Sequence, residues 1–173
     1  MNEINKKFKH YYLPVGLILI LSLSRVIPHP WNFTPVLAAG IFSGFYFKNF
    51  FLSFFIVIFS MFLGDVYLGF HSTMFFTYIS LSLAVAIGLL IKNFKIHEIL
   101  IGGLASSVGF FVITNFGAWL TLEMYEKNLS GLINSYVLAI PFFHNTLIST
   151  LVYLVLIKLL FDYVFEKKSL QQT

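Results

Sequence analysis

The residues able to do chemistry in this chain are few. Asp65 stands in Gly64-Asp65-Val66-Tyr67, about one helical turn inside the end of an apolar run. A carboxylate held within hydrocarbon costs roughly 3 kcal/mol on insertion scales unless it is paired or wet. Two readings stand for it: a ligand anchor, or a structural ion pair with Arg25, which lies at similar depth. Arg25 precedes the stiff triplet Pro28-His29-Pro30, where a buried partner suits it better than simple snorkelling to headgroups. His29, held between two prolines, suits a gate or a ligand contact, although an interfacial loop histidine is the commoner case.

His71 follows Gly69-Phe70 in a tight turn, and His144 and Asn145 follow Pro141. Histidines gathered on one side invite a metal, since imidazole suits Zn, Cu, Fe and Ni. Without a His-x3-His pair or an HExxH, no protein-bound metal is expected. Ligand contact or helix capping is expected of these histidines instead. Asn115 and Trp119 are four apart and share a helix face. With Thr114 they offer an amide, an indole and a hydroxyl, a stacking platform with hydrogen-bonding groups. The plainer alternative is one interhelical contact plus a tryptophan of the membrane aromatic belt.

Templates for catalysis are missing. There is no GxSxG elbow and no P-loop, and Asp65 is the only acid well inside an apolar run, with Asp162 near the end of another. Neither an enzyme nor a driven proton pump is expected. The absence of cysteine excludes disulfides, thiolate metal sites and cysteine nucleophiles.

The elements that must carry these residues follow from composition. Of 173 residues, 58% are hydrophobic and 10% charged, and phenylalanine alone occurs 22 times. Mean hydropathy is +0.87. Ordinary soluble domains carry about 25% charged residues. A small fold in water could not hide so much apolar surface, whereas a bilayer accepts it. The net charge of +4 forms no basic stripe, so nucleic acid is excluded as a partner.

A spanning helix needs about 20 mostly apolar residues. The pattern predicts an all-α single domain over residues 1–173, an integral membrane bundle of six transmembrane helices. The spans are expected at residues 11–27, 32–47, 50–68, 72–91, 99–122 and 142 to about 165, with a short interfacial or re-entrant helix at 131–140. The first apolar run shows no cleavage site and is read as a retained helix.

Placing residues 1–10 and the 166–173 tail in the cytoplasm puts nine basic residues inside (Lys6, Lys7, Lys9, Lys48, Lys92, Lys95, Lys158, Lys167, Lys168) against Arg25 and Lys127 outside. That asymmetry fits a multi-pass protein of the cell inner membrane. It also brings Arg25, His29, Asn32, Asp65, His71, Asn115, Trp119, Glu123, His144 and Asn145 toward the outer side, the convergence from which a bundle builds a small-molecule site. Small pairs four apart, Gly40/Gly44, Ser60/Gly64, Ala84/Gly88 and Gly103/Ser107, are handles for packing within one bundle.

Three blocks, Pro28-His29-Pro30-Trp31-Asn32-Phe33-Thr34-Pro35-Val36, Asn115-Phe116-Gly117-Ala118-Trp119 and Pro141-Phe142-Phe143-His144-Asn145-Thr146, resemble an uncharacterised bacterial membrane family described as putative transport proteins. That family in turn resembles the substrate-binding S components of energy-coupling factor (ECF) vitamin transporters, six-helix proteins with cytoplasmic termini and an outward-facing ligand site. The Ala-x3-Ala docking motif of many S components is absent from residues 13–27, and so is the cysteine used by solitary corrinoid-binding members.

The resemblance implies an uptake subunit for a vitamin-like or cofactor-precursor solute, energised by a separate ATPase and coupling subunit. Arg25, Asp65, Asn115, His144 and Asn145 would then fix the solute's polar groups. Tyr67, Trp119 and Phe143 would cover its flat or apolar parts, with His29, Asn32 and His71 nearby. No cofactor is expected. The alternatives are a non-catalytic scaffold or assembly factor and, behind it, an enzyme acting on lipid or isoprenoid substrates.

Overall fold

The structure, a computed structural model, describes residues 12–170 and the side chains of residues 12–163. Lys6, Lys7 and Lys9 lie outside the described residues, as do the side chains of Lys167 and Lys168 and the last three residues of the tail. Seven α-helices and no strand occur among the described residues: α1 (Leu13–Val26), α2 (Val36–Phe47), α3 (Phe50–Leu68), α4 (Met74–Leu90), α5 (Ile96–Thr121), α6 (Leu129–Val137) and α7 (Ile140–Leu170).

Three of them, α3, α5 and the Ile140–Tyr163 part of α7, are long and apolar enough to cross a membrane. α1, α2 and α4 are apolar but shorter, at 14, 12 and 17 residues. The exterior is rich in large apolar side chains: Phe51 is 81% exposed, and Phe75, Ile101 and Ile148 are also exposed. Water would penalise such a surface heavily, and lipid does not. These features suit a membrane protein.

Local chemistry explains where the helices start and stop. α2 begins at Val36 and not at Asn32, because residues 28–35 are held by three prolines and by a turn in which the Phe33 amide donates to the Pro30 carbonyl at 2.9 Å. Asn32 takes φ 61° within that turn, a left-handed conformation that asparagine tolerates better than most residues. α3 begins after Asn49, whose side chain accepts from the Leu52 amide at 3.0 Å, an N-cap. It stops at Gly69, whose φ of +103° disfavours any residue with a Cβ. Pro141, expected to interrupt the chain, instead sits in the first turn of α7, where a missing N–H costs nothing. α5 starts at Ile96, earlier than expected, and takes His97 and Glu98 into its first turn. α7 continues to Leu170, past the end expected near Phe165.

α2 is the centre of the bundle. Val36 to Ile41, Ser43 and Gly44 are all buried, and the helix touches α1, α3, α4, α5 and α7. Its closest neighbour is α4. A Cβ placed on Gly44 would collide with the Val85 carbonyl, and one on Gly88 with the Ile41 carbonyl. A Cβ on Gly40 would lie 3.2 Å from that of Ala84. The two small-residue pairs therefore face each other and let the backbones touch, which is how helices associate closely in lipid. α1 packs on α3, α5 joins α4 to α7, and α6 rests on α5.

At one end of the bundle Phe45 stacks on Phe94 with centroids 4.4 Å apart, and Phe42 and Phe161 complete the cluster. Lys48, Lys92 and Lys95 are exposed at that same end. The Lys48 ammonium donates to two carbonyls at the C-terminal end of α4, that of Leu89 (3.2 Å) and that of the cap residue Ile91. The other end is hollow.

Candidate functional site

The hollow is a cavity of about 590 Å³, walled by residues of α1, α2, α3, α4, α5 and α7 and by the loops after α1 and α3. That volume falls in the range of roughly 300–1,000 Å³ usual for small-molecule sites. The apolar wall includes Val26, Leu37, Met61, Leu81, Phe110 and Ala118. The polar part has one charged residue, Arg25, with two histidines, His29 and His71, two amides, Asn32 and Asn115, and seven hydroxyls. No aspartate or glutamate lines it.

Arg25 is held from one side. Its Nη1 donates to Asp65 Oδ1 at 2.6 Å and to the Met61 carbonyl at 2.9 Å. Gly64 makes the room: a Cβ there would lie 2.5 Å from Nη1. The second oxygen of Asp65 accepts from the Tyr78 hydroxyl at 2.6 Å. Asp65 is thus fully buried with both oxygens engaged, while the Arg25 side chain keeps 16% exposure. Of the two readings of Asp65, the geometry shows the ion pair. The residue does not line the cavity and has no exposed oxygen to offer a solute.

The hydroxyls have mostly spent their protons within their own helices. Thr114 donates to the Phe110 carbonyl at 2.7 Å, Thr146 to that of Phe142 at 3.0 Å, and Thr150 to that of Thr146 at 2.7 Å. The Asn115 amide nitrogen donates to Phe111 at 2.7 Å. Each oxygen so placed faces the cavity mainly as an acceptor. The His71 Nδ1 lies 2.9 Å from Thr73 Oγ1 at the rim.

The proline-rich loop is tied down from across the bundle. Asn145 Nδ2 donates to the Trp31 carbonyl at 3.0 Å, and Ser149 Oγ donates to that of Asn32 at 3.4 Å. The Ser149 proton is shared with the Thr146 carbonyl at 3.0 Å, so the Asn145 bond is the main tie holding the His29 and Asn32 segment against α7.

Of the residues singled out from sequence, Arg25, His29, Asn32, His71 and Asn115 meet at the cavity. Phe143 lines a smaller cleft of about 90 Å³ that shares Asn32, Thr114, Asn115 and Thr146 with it. The others stand elsewhere. Tyr67, two residues beyond Asp65, falls on the opposite face of α3 and is 72% exposed. Trp119 packs on Phe116, and its indole N–H donates to the Glu126 carbonyl at 2.9 Å; Lys127 caps the same helix end at Trp119 and Leu122. His144 is exposed beside Phe143, and Asn145 serves the loop and not the wall.

Sequence reasoning missed Tyr78, the second partner of Asp65, and the stripe Thr146, Ser149, Thr150. The stripe had a signal: hydroxyls at i, i+3 and i+4 in an apolar helix mark one face. Tyr78 had none, since only the α3–α4 packing brings it to Asp65. Among the described residues, no group of three or more His, Asp or Glu side chains could hold a metal.

An apolar helical bundle enclosing a polar-lined cavity at one end defines a class: a helical protein suited to lipid, with room for a small solute. The chain belongs to the family of unknown function DUF6580, whose model matches residues 5–172. No curated protein and no solved structure matches it.

Proposed function

We propose that this protein is the solute-binding subunit of a membrane transport system, taking up a vitamin-like or cofactor-precursor molecule. The observation that carries the reading is the cavity, where polar residues from four helices and two loops meet within an apolar wall. In this reading α1 to α5 and α7 cross the cell inner membrane and both chain ends are cytoplasmic. The cavity opens outward, and the lysine-bearing end, with Lys48, Lys92 and Lys95, faces the cytosol. The short spans are accommodated by local thinning of the bilayer, since the 14 residues of α1 rise only about 21 Å. Movement is powered by a separate ATPase and coupling subunit. The likeness to ECF S components belongs to this proposal and rests on the three motif blocks. Two of those blocks now have a structural use, forming the proline loop at the cavity and the α7 turn that holds it.

The test is thermal unfolding of the detergent-purified protein against a panel of vitamins and cofactor precursors. A solute at about 100 times its dissociation constant contributes about 2.7 kcal/mol to stability, enough to raise Tm by several degrees. Asn32→Gly, which keeps the left-handed turn, with Asn115→Ala should abolish the shift and leave the unliganded Tm nearly unchanged. If no solute in the panel stabilises the protein while another membrane protein co-purifies stoichiometrically, the assembly-factor reading replaces this one.

A further inference from the structure

We infer, resting on the solute-binding reading above, that the solute is an anion whose carboxylate or phosphate oxygens are taken by the free edge of Arg25. Arg25 is the single arginine of the chain; the other ten basic residues are all lysine. Its guanidinium carries five N–H donors in a planar fork. The two on Nη1 are spent on Asp65 and Met61. The three on Nε and Nη2 have no protein partner among the described residues, and Arg25 lines the cavity. That edge is the one that matches two oxygens of a carboxylate or phosphate.

The surroundings agree. Asp65 is buried behind the guanidinium and closed off by Tyr78, so the pair turns its positive end to the cavity. No carboxylate lines the wall to attract a cation, and His29, His71, Trp31 and Asn32 on the same wall carry further N–H groups for an anion. Four of the six threonine hydroxyls on the wall, those of Thr77, Thr114, Thr146 and Thr150, donate to backbone carbonyls four residues back, which leaves Arg25 the strongest donor to a solute. Asp65 is a positioning residue here: it fixes one side of the fork and leaves the other presented.

The experiment uses the full chain in detergent and four probes of one shape: benzoate, phenyl phosphate, benzamide and benzylamine. Benzoate and phenyl phosphate should raise Tm, benzamide should show at least tenfold weaker apparent affinity than benzoate, and benzylamine should have no effect. Because there is one arginine, arginine-labelled protein gives one side-chain Nε–H NMR signal, and benzoate should shift it. The Arg25→Gln/Asp65→Asn double variant removes both charges and keeps a neutral pair, and it should lose the preference for benzoate over benzamide. If that variant does not fold, the NMR signal of the native protein decides.

A neutral solute from the vitamin panel that stabilises the protein while benzoate neither stabilises it nor moves the Nε–H signal would overturn the anion assignment and leave the transport reading standing. No response to any probe or to the vitamin panel overturns both. Stabilisation by phosphatidylglycerol in mixed micelles, with none from the soluble anions, would assign the Arg25 edge to a lipid headgroup and overturn the solute assignment.

Discussion

Asp65 is the buried charge on which this end of the bundle depends, though it does not line the cavity. It is buried with both oxygens bonded, so its charge is tolerated only while Arg25 faces it. Removing one partner of a buried pair leaves the other uncompensated, and such losses run to about 3–5 kcal/mol. Asp65→Ala should therefore lower the Tm of the detergent-purified protein sharply and cut its yield. Arg25→Gln/Asp65→Asn should recover much of that loss, because no lone charge remains. Tyr78→Phe removes one hydrogen bond to a charged group, worth about 1.5–3 kcal/mol, and should fall between the native protein and Asp65→Ala. A Tyr78→Phe protein as unstable as Asp65→Ala would show that the hydroxyl, and not the arginine, carries the pair.

At the scale of elements, the bundle depends on how closely α2 and α4 approach. Gly44 and Gly88 each face a carbonyl of the other helix, so an added side chain has nowhere to go. Overpacking usually costs about 1–3 kcal/mol when neighbouring side chains can yield; here the obstacle is backbone, and Gly44→Leu or Gly88→Val should give protein that aggregates on detergent extraction. Gly16, inside α1 with nothing near it, should accept alanine with no loss and a slightly raised Tm, since alanine favours helix over glycine by about 0.5–1 kcal/mol. This contrast was partly legible beforehand. The spacing of Gly40/Gly44 and Ala84/Gly88 pointed to packing within the bundle, but which pair met which depends on the crossing of two helices distant in sequence.

The helix positions were also largely readable, because a run of apolar residues between lysines or prolines marks itself; α3 falls at residues 50–68 as expected. The cavity was half readable. Arg25, His29, Asn32, His71 and Asn115 share a depth, and depth can be counted along a chain. Facing cannot be counted so simply. Tyr67 and Trp119 lie at the right level and point away, and Phe94, in the gap between lysines, is buried in the aromatic cluster with φ 51°.

For the molecule as a whole, the question is which end faces out. The two ends differ physically: one gathers the exposed lysines Lys48, Lys92 and Lys95 over a phenylalanine cluster, and the other holds the cavity. Lysines favour the cytoplasmic side because translocating them is costly and the inner leaflet attracts them. The chain has no cysteine, so any cysteine introduced is the only thiol to label. Ser72→Cys, beside His71 at the cavity rim, should react with a membrane-impermeant maleimide in intact spheroplasts. Asn93→Cys, in the loop between α4 and α5, should react only after the membrane is opened. Both positions are exposed, so reactivity reports sidedness and not burial. The reverse pattern would point the cavity at the cytosol and replace the proposed uptake with receipt of a solute from inside. Equal labelling of both positions in sealed spheroplasts would mean that α4 does not cross, and with it the six-span bundle would fall.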